Sequence, residues 1–505
     1  MAGPIGFDNE RYLQQQSAAI LERVNGSHAR LYLEFGGKLL FDYHAARVLP
    51  GFHPNVKMQL LQQLKDRIEV ILCIYAGDIE KRKMRADFGI TYDTDALKTI
   101  DDLTERGVTV RAVVITRFDR QPAALAFKNR LERRGLRVYT HGVTKGYPTD
   151  VDMIVSEEGY GANPYIETER PIVVVTGPGP GSGKLATCLS QLYHEHQRGV
   201  AARFAKFETF PIWNLPLKHP VNVAYEAATA ELKDVNLIDH FHLESYGEAA
   251  VNYNRDLEAF PLLRRIIERI TGEPSFYKSP TDMGVNRAGF GIVDDAACRA
   301  AAAQEIIRRY YNYACEYALG LVEKETVERA ELIMKGLGLK KTDRIVVTHA
   351  HAAAATGSAA GKGADGIYCG AAVELADGRI VTGKNSPQLH AASSLILNAV
   401  KVLAGIPDQQ HLLPPAITQS LTHFKKHVLK GNMMSLDVEE TLIALSISAT
   451  HDAAARRAVE KLPELSGCNV HLTHLPTPGD AAGLRKLGLT VTADPEFASK
   501  YLYVG

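Results

Sequence analysis

A glycine-rich segment between Gly177 and Lys184 is the part of the sequence best suited to hold a phosphate group. It follows the apolar run 172–176 and precedes a helix-like stretch, so a buried strand should end in a tight turn that opens a helix. Free N–H groups and the positive dipole at a helix start bind anions, and glycines let a phosphate approach the backbone. The predicted ligand contacts are Gly177, Gly179, Gly181, Ser182, Gly183, Lys184 and Thr187.

This segment departs from the Walker A phosphate-loop pattern. Five residues separate Gly177 from the Gly183-Lys184 pair, one more than the pattern has, and Leu185 stands where Ser or Thr normally binds magnesium. Two prolines also remove backbone donors from the loop. Thr187, one turn further on, could serve the metal only if the helix start were rotated. A tight strand–helix turn with a surface lysine is the alternative, and the sequence leaves both interpretations open.

Three other segments carry polar residues that could complete a site around the loop. One follows the strand predicted at 200–207, at the edge where doubly wound sheets bind ligands. A second ends the apolar run 235–238, as a Walker B carboxylate would, and a third is the polar break 277–287, which suits an anionic substrate. Ordinary loop polarity is the alternative for each. The candidate catalytic carboxylates are Asp239, Asp282 and Glu208, and the candidate substrate contacts are Lys206, Thr209, Asn286 and Arg287.

Three closely spaced histidine pairs are the candidate metal ligands. A zinc site needs at least three protein ligands, and no third ligand is evident near any of these pairs in the sequence. The sequence therefore predicts no metal site and no zinc. The pairs are His240 with His242, His349 with His351, and His471 with His474.

Alternating strand-like and helix-like segments predict an α/β fold with a parallel sheet that carries the glycine loop. The strand candidates are rich in Val and Ile, and their apolar character is continuous rather than alternating, which is typical of strands buried on both faces. Helices are predicted at 93–106, 121–134 and 185–197. The predicted strands are 68–75, 108–116, 136–140, 153–156, 172–176 and 200–207.

The character of the chain changes twice after this region. Three prolines interrupt 208–221, and the chain is then helical to about residue 339. Strands are predicted at 344–348, 370–375 and 379–382, the last two joined by a turn at Asp377-Gly378, before a helix at 389–403. We therefore divide the chain into an α/β domain at 1–220, a largely helical domain at 221–342 and a second α/β domain at 343–505. A binding site is expected where the first two domains meet.

Bulk composition argues against several functions. The 58 basic and 58 acidic residues cancel, so no net charge draws the chain to nucleic acid or to a membrane surface. No apolar stretch is long enough to span a bilayer, and the start lacks a signal-peptide pattern. The six cysteines are scattered singly, as in proteins of reducing compartments. We expect a cytoplasmic protein, and base rates favour a homo-oligomer.

The whole chain resembles a family of uncharacterised bacterial proteins of about this length. The segments that carry the resemblance are 31–39, 146–150, 177–184, 205–216 and 279–284. Some members are labelled ATP-dependent peptidases, but this chain has no His-Glu-x-x-His helix and no recognisable nucleophile motif. The resemblance therefore implies a family without a mechanism. The run 33–39, with its Gly36-Gly37 pair, is also similar to the opening of amino-acid kinases, where a glycine pair meets phosphate.

The hairpin predicted around Asp377-Gly378 resembles that of cytidine-deaminase-like folds. The helix after it begins near His390, which matches the zinc-binding histidine of that family, but Ala392 replaces the acid–base glutamate. The segment 414–417 stands in place of the Pro-Cys-x-x-Cys motif and holds no cysteine. The resemblance therefore implies a deaminase-like scaffold without zinc chemistry, with a mixed sheet across 344–405.

These residues together predict a nucleotide-dependent enzyme of unidentified reaction. ATP or another nucleotide with magnesium would bind at the glycine loop, and a small substrate would lie near Lys206, Glu208, Asp282 and Arg287. The alternative is a non-catalytic sensor or assembly module that binds a phosphorylated metabolite. The absence of Ser or Thr after Lys184 favours the sensor, because metal-free binding needs no magnesium ligand.

Overall fold

The computed structural model describes residues 5–25, 29–85, 88–364, 366–431 and 434–499. The chain forms two compact units, one extending to Ala302 and the other beginning at Ala303. Residues 221–302 thus belong to the first unit, whereas the sequence suggested a separate helical domain at 221–342. The reason is strand pairing, since a short strand near residue 284 joins the main sheet of that unit. Within the described ranges, no helix is long and apolar enough to cross a membrane.

The first unit contains one large parallel sheet and two small antiparallel pairs. Its strands are β1 (Arg30–Phe35), β2 (Ile68–Tyr75), β3 (Met84–Arg85), β4 (Ile90–Thr91), β5 (Val110–Thr116), β6 (Val138–Thr140), β7 (Ile172–Thr176), β8 (Ala202–Phe207), β9 (Asn236–Ile238), β10 (Val251–Tyr253) and β11 (Gly284–Val285). The large sheet has the order β11-β8-β1-β7-β2-β5-β6, and all of its neighbours run parallel. The pairs β3–β4 and β9–β10 are antiparallel.

Helices cover both faces of this sheet, as the buried apolar strands require. They are α1 (Asn9–Asn25), α2 (Tyr43–Val48), α3 (Val56–Gln63), α4 (Ala76–Glu80), α5 (Tyr92–Glu105), α6 (Pro122–Glu132), α7 (Val151–Ile154), α8 (Lys184–Gln197), α9 (Pro220–Ala228), α10 (His240–Tyr246), α11 (Asn254–Thr271) and α12 (Pro280–Met283). The division between the units falls within α13 (Asp295–Ala318).

The chain reverses direction across the sheet near β1 and β7. It runs from β1 to β2 and outward through β5 to β6, returns to insert β7 between β1 and β2, and then places β8 on the other side of β1. Ligands of open parallel sheets bind at the carboxyl ends of the strands where the winding reverses. The topology therefore directs attention to the ends of β7, β1 and β8.

The predicted parallel sheet is confirmed, with one strand misassigned. β2 and β7 have the predicted bounds, and the other confirmed strands begin two residues later than predicted. The prediction of a strand at 153–156 is wrong, because 151–154 form the short helix α7. Asp150 caps that helix by accepting a hydrogen bond from the Met153 N–H, so a local side-chain contact overrides the apolar pattern.

The second unit contains a four-stranded mixed sheet with helices around it. Its strands are β12 (Gly370–Glu374), β13 (Ile380–Lys384), β14 (Asn469–Leu472) and β15 (Thr490–Ala493), in the order β13-β12-β14-β15. β12 is antiparallel to both neighbours, and β14 is parallel to β15. The helices are α14 (Lys324–Gly336), α15 (Ile345–Ala359), α16 (Ala391–Ala404), α17 (Pro415–His427), α18 (Val438–Ser448), α19 (Ala453–Lys461) and α20 (Pro478–Lys486).

Two predictions for this unit have different outcomes. The hairpin and the helix after His390 are confirmed, since His390 is the residue before the first turn of α16. The prediction of a strand at 344–348 is wrong, because these residues open α15. Their β-branched side chains suggested a strand, but the alanine-rich run that follows has the highest helix propensity and continues the helix to Ala359.

Candidate functional site

The glycine loop connects β7 to α8 at the carboxyl edge of the parallel sheet. The Lys184 ammonium lies over the loop and donates hydrogen bonds to the Gly179 carbonyl at 3.1 Å and to Ser182 Oγ at 3.2 Å. Arg117, at the end of β5, donates to the Gly181 carbonyl at 2.5 Å. Two cationic side chains therefore meet the loop beside the positive end of the α8 dipole.

Close packing beneath the loop explains two of its glycines. A methyl group at Gly177 would collide with the Cys73 carbonyl oxygen and lie 2.5 Å from Ser182 Oγ. Gly183 has φ +87°, a left-handed conformation, and a methyl group there would lie 2.6 Å from Thr116 Cγ2. The backbone of the loop is therefore held against the ends of β2 and β5.

Replacing Gly177 by alanine is expected to lower the free energy of unfolding by roughly 2 kcal/mol, as overpacking does. The neighbouring atom is a strand carbonyl and cannot move aside cheaply. Gly142→Ala is the matched control, because a methyl group there has open space around it. Urea denaturation of both variants tests this, and equal stabilities would show that the loop is not packed against β2 as described.

Glu34 and Lys206 bring charge to the same edge. They are register partners on the parallel strands β1 and β8, so their side chains project to the same face of the sheet. Two residues earlier on each strand, the partners Tyr32 and Phe204 project to the same face and pack in the core that includes Cys188 of α8. The Glu34–Lys206 pair therefore lies beyond this core, toward the first turn of α8, which begins at Lys184.

Lys206 bridges two further carboxylates. Its Nζ lies 2.7 Å from Glu208 Oε1 and also donates to Asp256 Oδ2, from the first turn of α11. Burial, with the nearby Asp256 carboxylate, raises the pKa of Glu208 to about 7, although Lys206 acts in the opposite direction. A carboxyl with a pKa near neutrality can both accept and donate a proton under physiological conditions.

Glu34 connects this cluster to the glycine loop. Burial raises the pKa of the Glu34 carboxyl, while the charges of Lys206 and Lys184 lower it. Glu34 is thus within electrostatic reach of the lysine of the loop as well as the lysine of the cluster. We name the set Glu34, Lys206, Glu208 and Asp256 the carboxylate–lysine cluster, and it lies beside the glycine loop at the ends of β1, β7 and β8.

Comparison with known proteins places the chain in a family. Residues 5–338 match the family described as domain of unknown function DUF1846, N-terminal, and residues 342–503 match its C-terminal counterpart. The chain belongs to the DUF1846 family. It is 56% identical over 499 residues to a UPF0371 protein of Clostridium tetani, with 99% of both chains covered. A UPF0371 protein of Clostridium botulinum (strain Langeland) is 57% identical over 499 residues, with the same coverage.

Membership of the DUF1846 family confirms the resemblance to uncharacterised bacterial proteins of this length. The two family segments meet near residue 340, close to the predicted boundary at 342/343. The compact units of the structure divide earlier, within α13. The names of these relatives state no activity, so the chemistry of the family has to be argued from the site.

Two predicted catalytic carboxylates are engaged in local structure. Asp239 is fully buried at the start of α10, where Oδ1 accepts from the His242 N–H and Oδ2 accepts from the N–H and hydroxyl of Thr281. Asp282 Oδ2 accepts from the Tyr246 hydroxyl at 2.7 Å and from the Lys278 N–H. Both residues hold α10 and α12 together, whereas Glu208 lies in the carboxylate–lysine cluster.

The predicted substrate contacts also divide into two groups. Lys206 belongs to the cluster, but Asn286 donates to the carbonyls of Thr209 and Pro211 and so fixes the loop after β8. Arg287 lies over the Phe290 ring. β11, which lies within 282–287, is three strands from β7 in the sheet, a lateral separation of roughly 14 Å between the two strands.

Thr187 is not placed to replace the missing magnesium ligand. Its side chain is fully buried, and its hydroxyl accepts a hydrogen bond from the Cys73 thiol at 3.4 Å. The hydroxyl therefore faces the sheet rather than the loop. The first turn of α8 is therefore not rotated so that Thr187 could bind magnesium in place of the missing ligand at position 185.

Sequence reasoning missed Glu34 and Asp256 as members of the site. Glu34 follows three apolar residues in β1, and a charged residue near the end of a buried strand was the available signal. Asp256 lies 50 residues from Lys206 along the chain, in the first turn of a helix, where an acidic residue is ordinary. No spacing in the sequence connects it with β8.

An open surface cavity of about 530 Å³ lies elsewhere, between α7 and the carboxyl-terminal half of α11. Its lining is charged, and Arg269 forms an ion pair with Asp152 at 2.9 Å. The helical rise separates Arg265 from Asp256 by about 14 Å along α11, so the cavity is distinct from the cluster. Its lining includes no residue of the glycine loop or of the carboxylate–lysine cluster, and we do not assign the chemistry to it.

Proposed function

We propose that the first unit is a nucleotide-dependent enzyme that binds phosphate at the glycine loop and transfers a proton through Glu208. The supporting observation is that the glycine loop and the carboxylate–lysine cluster lie at the ends of the adjacent strands β7, β1 and β8. This is the edge at which parallel sheets bind ligands. Neither component alone would favour an enzyme over a structural turn or a structural ion pair.

Each part of the edge has a chemical role in this proposal. Lys184 and the first-turn N–H groups of α8 would hold the outer phosphates, and Arg117 would face them from the end of β5. Lys206 would neutralise charge that develops on a transferred or departing phosphoryl group. Glu208 would exchange a proton with a small substrate bound between the cluster and the 282–287 segment. Magnesium would enter with the nucleotide, since Leu185 and the buried Thr187 offer it no ligand.

A sensor that binds a phosphorylated metabolite without turnover is the second candidate. The observation that favours it is the orientation of Thr187, whose hydroxyl faces Cys73 and leaves the loop without its usual magnesium ligand. A sensor needs only the anion site and has no use for a carboxyl of pKa near neutrality. The raised pKa of Glu208 therefore favours the enzyme.

Thermal denaturation with ATP tests both candidates. ATP should raise the melting temperature of the parent protein, because a ligand that binds only the native state stabilises it, by about 2.7 kcal/mol at a concentration of 100 Kd. Lys184→Ala should abolish this shift. Lys65→Ala is the matched control, since Lys65 is exposed and precedes β2, at the amino-terminal ends of the strands and away from the glycine loop.

The outcomes separate the proposals. Equal shifts in Lys184→Ala and the parent would contradict phosphate binding at the loop. A shift that needs magnesium, with phosphate released over time and lost in Glu208→Gln, supports the enzyme. A magnesium-independent shift without any release of phosphate supports the sensor.

We further propose that the second unit is a deaminase-like scaffold that lacks zinc chemistry at His390. The β12–β13 hairpin, followed by α16 with His390 before its first turn, supports this. His390 Nδ1 lies 2.7 Å from Asp480 Oδ2, so this imidazole is paired with a carboxylate of α20. Zinc-dependent deamination at His390 is not part of the proposal, because Ala392 supplies no general acid or base.

A further inference from the structure

Three side chains in the second unit converge from separate elements. His351 lies on α15, His471 lies on β14, and Asp494 directly follows β15. His471 and Thr492 are register partners on parallel strands, and Asp494 stands two residues beyond Thr492, so His471 and Asp494 project to the same face of the sheet. His351 meets them from α15. The sequence offered no third ligand for either histidine pair, because Asp494 is 143 residues from His351 along the chain.

The ligand atoms of these three residues face one another. Asp494 Oδ2 lies 2.9 Å from His351 Nε2, and Asp494 Oδ1 lies 3.3 Å from His471 Nε2. All three residues offer a ligand atom within 4.8 Å of the others. Within the described residues, this is the one set of three or more histidine, cysteine or acidic side chains that meets this spacing.

The hydrogen bonds of Thr492 fix the tautomer of His471. The Thr492 hydroxyl has one proton, which it donates to the Val470 carbonyl at 3.0 Å. Its two lone pairs remain, and Arg344 Nε–H occupies one of them at 3.2 Å. The contact of 2.9 Å between His471 Nδ1 and Thr492 Oγ1 must therefore be donated by the imidazole. A neutral His471 consequently carries its proton on Nδ1 and a lone pair on Nε2.

This lone pair lies opposite a carboxylate. His471 is fully buried, and its Nε2 has no hydrogen-bond partner among the described residues. The atom nevertheless lies 3.3 Å from Asp494 Oδ1, so with the proton on Nδ1 two electron-rich atoms face each other. That arrangement is repulsive unless a metal ion lies between them or the imidazole takes up a second proton.

We propose that His351 Nε2, His471 Nε2 and the Asp494 carboxylate bind a divalent transition-metal ion of the zinc class. Two imidazoles and one carboxylate form a common ligand set for such ions, and they leave coordination positions for water or substrate. Ligands that are about 2.0–2.1 Å from a tetrahedral ion are about 3.3 Å apart, which agrees with the His471–Asp494 separation.

The surroundings of the site define its accessible side. The Tyr311 ring packs edge-on against His471, with ring centres 4.9 Å apart, and holds the imidazole in place. The His351 side chain is 55% exposed, so the open coordination positions face solvent on the α15 side. The Nδ1–H bond from His471 to Thr492 is the outer-shell contact that typically orients a metal-binding histidine.

Zinc titration of the full-length protein, after chelator treatment and dialysis, tests the proposal. Isothermal titration calorimetry with Zn²⁺ alone should show one tight site per chain, and Co²⁺ should give the visible absorption of a four- or five-coordinate ion. His351→Ala and Asp494→Asn should each weaken zinc binding by more than about 10-fold. His351 is exposed, so its removal should leave the fold intact by circular dichroism even if the buried His471 cannot be replaced.

Two controls separate this site from ordinary surface histidines. His349→Ala lies on the same helix, two residues before His351, and should bind zinc as the parent does. His423 and His427 on α17 have ring centres 4.4 Å apart and could bind zinc adventitiously. Binding that survives in His351→Ala but is lost in His423→Ala would overturn the proposal. If neither Zn²⁺ nor Co²⁺ binds to the parent protein, the proposal is overturned as well. The three side chains would then form an ion pair between a protonated histidine and Asp494.

Discussion

Replacing Lys206 by methionine is expected to lower the free energy of unfolding by about 3 kcal/mol at pH 7. Its ammonium contacts both Glu208 and Asp256, and its charge lowers the pKa of Glu34, so its loss removes a counter-charge that three carboxyl groups share. This value is at the low end of the range for breaking a buried ion pair, because 26% of the Lys206 side chain is exposed. Urea denaturation, with the midpoint and slope measured separately, gives the comparison.

A second substitution shows whether the unpaired carboxylates cause the loss of stability in Lys206→Met. Lys206→Met combined with Asp256→Asn should recover part of the stability, because one of the unpaired charges is then removed. The single variant should also recover as the pH falls, since protonation neutralises the remaining carboxylates. Lys65→Met, at the amino-terminal ends of the strands, should unfold like the parent. A Lys206→Met protein as stable as the parent at pH 7 would show that the cluster is not coupled through this lysine.

Much of the first fold could be predicted because its central strands β2 and β7 are largely apolar. Burial on both faces leaves no competing pattern for these two strands. Short elements were predicted poorly. The four residues of α7 and the first turn of α15 both contain β-branched side chains, and a cap or a following alanine run decided their structure instead.

The sequence predicted only those residues of the candidate site that belong to a predicted strand or directly follow one. The glycine loop and Lys206 are attached to strands, so the order of elements indicated that they would share an edge. Glu34 and Asp256 join them through strand register and helix packing, which no local pattern encodes. Asp239 shows the converse error, since a carboxylate after an apolar run was interpreted as a metal ligand but caps a helix. His351, His471 and Asp494 likewise meet only in the folded chain.

The Glu208 carboxyl should make the protein less stable as the pH rises from about 5 to 8. Its pKa is about 7 in the folded protein, above its ordinary value of 4.5, so the native state holds a proton there that the unfolded chain has released. The stabilisation is complete below about pH 4.5 and is lost as the pH rises through 7. With 1.36 kcal/mol for each pH unit, the total is on the order of 3 kcal/mol.

Glu208→Gln should remove this pH dependence. Burial is the largest cause of the raised pKa of Glu208, and the Asp256 carboxylate adds to it, so replacing Asp256 removes only part of the shift. Asp256→Asn should therefore give a shallower pH profile than the parent, whereas Glu208→Gln removes the titrating group itself. Glu258→Gln is the matched control, because Glu258 is exposed on the same helix two residues after Asp256.

The measurement is the free energy of unfolding at half-unit pH intervals between 5 and 8, by urea denaturation of the parent and the three variants. The parent and Glu258→Gln should lose stability together as the pH rises, Asp256→Asn should lose less, and Glu208→Gln should stay nearly level. A Glu208→Gln profile with the slope of the parent would assign the titration to another group. Because Glu208 is the proposed proton-transfer residue, that result would also remove the main physical argument for an enzyme over a sensor at this edge of the sheet.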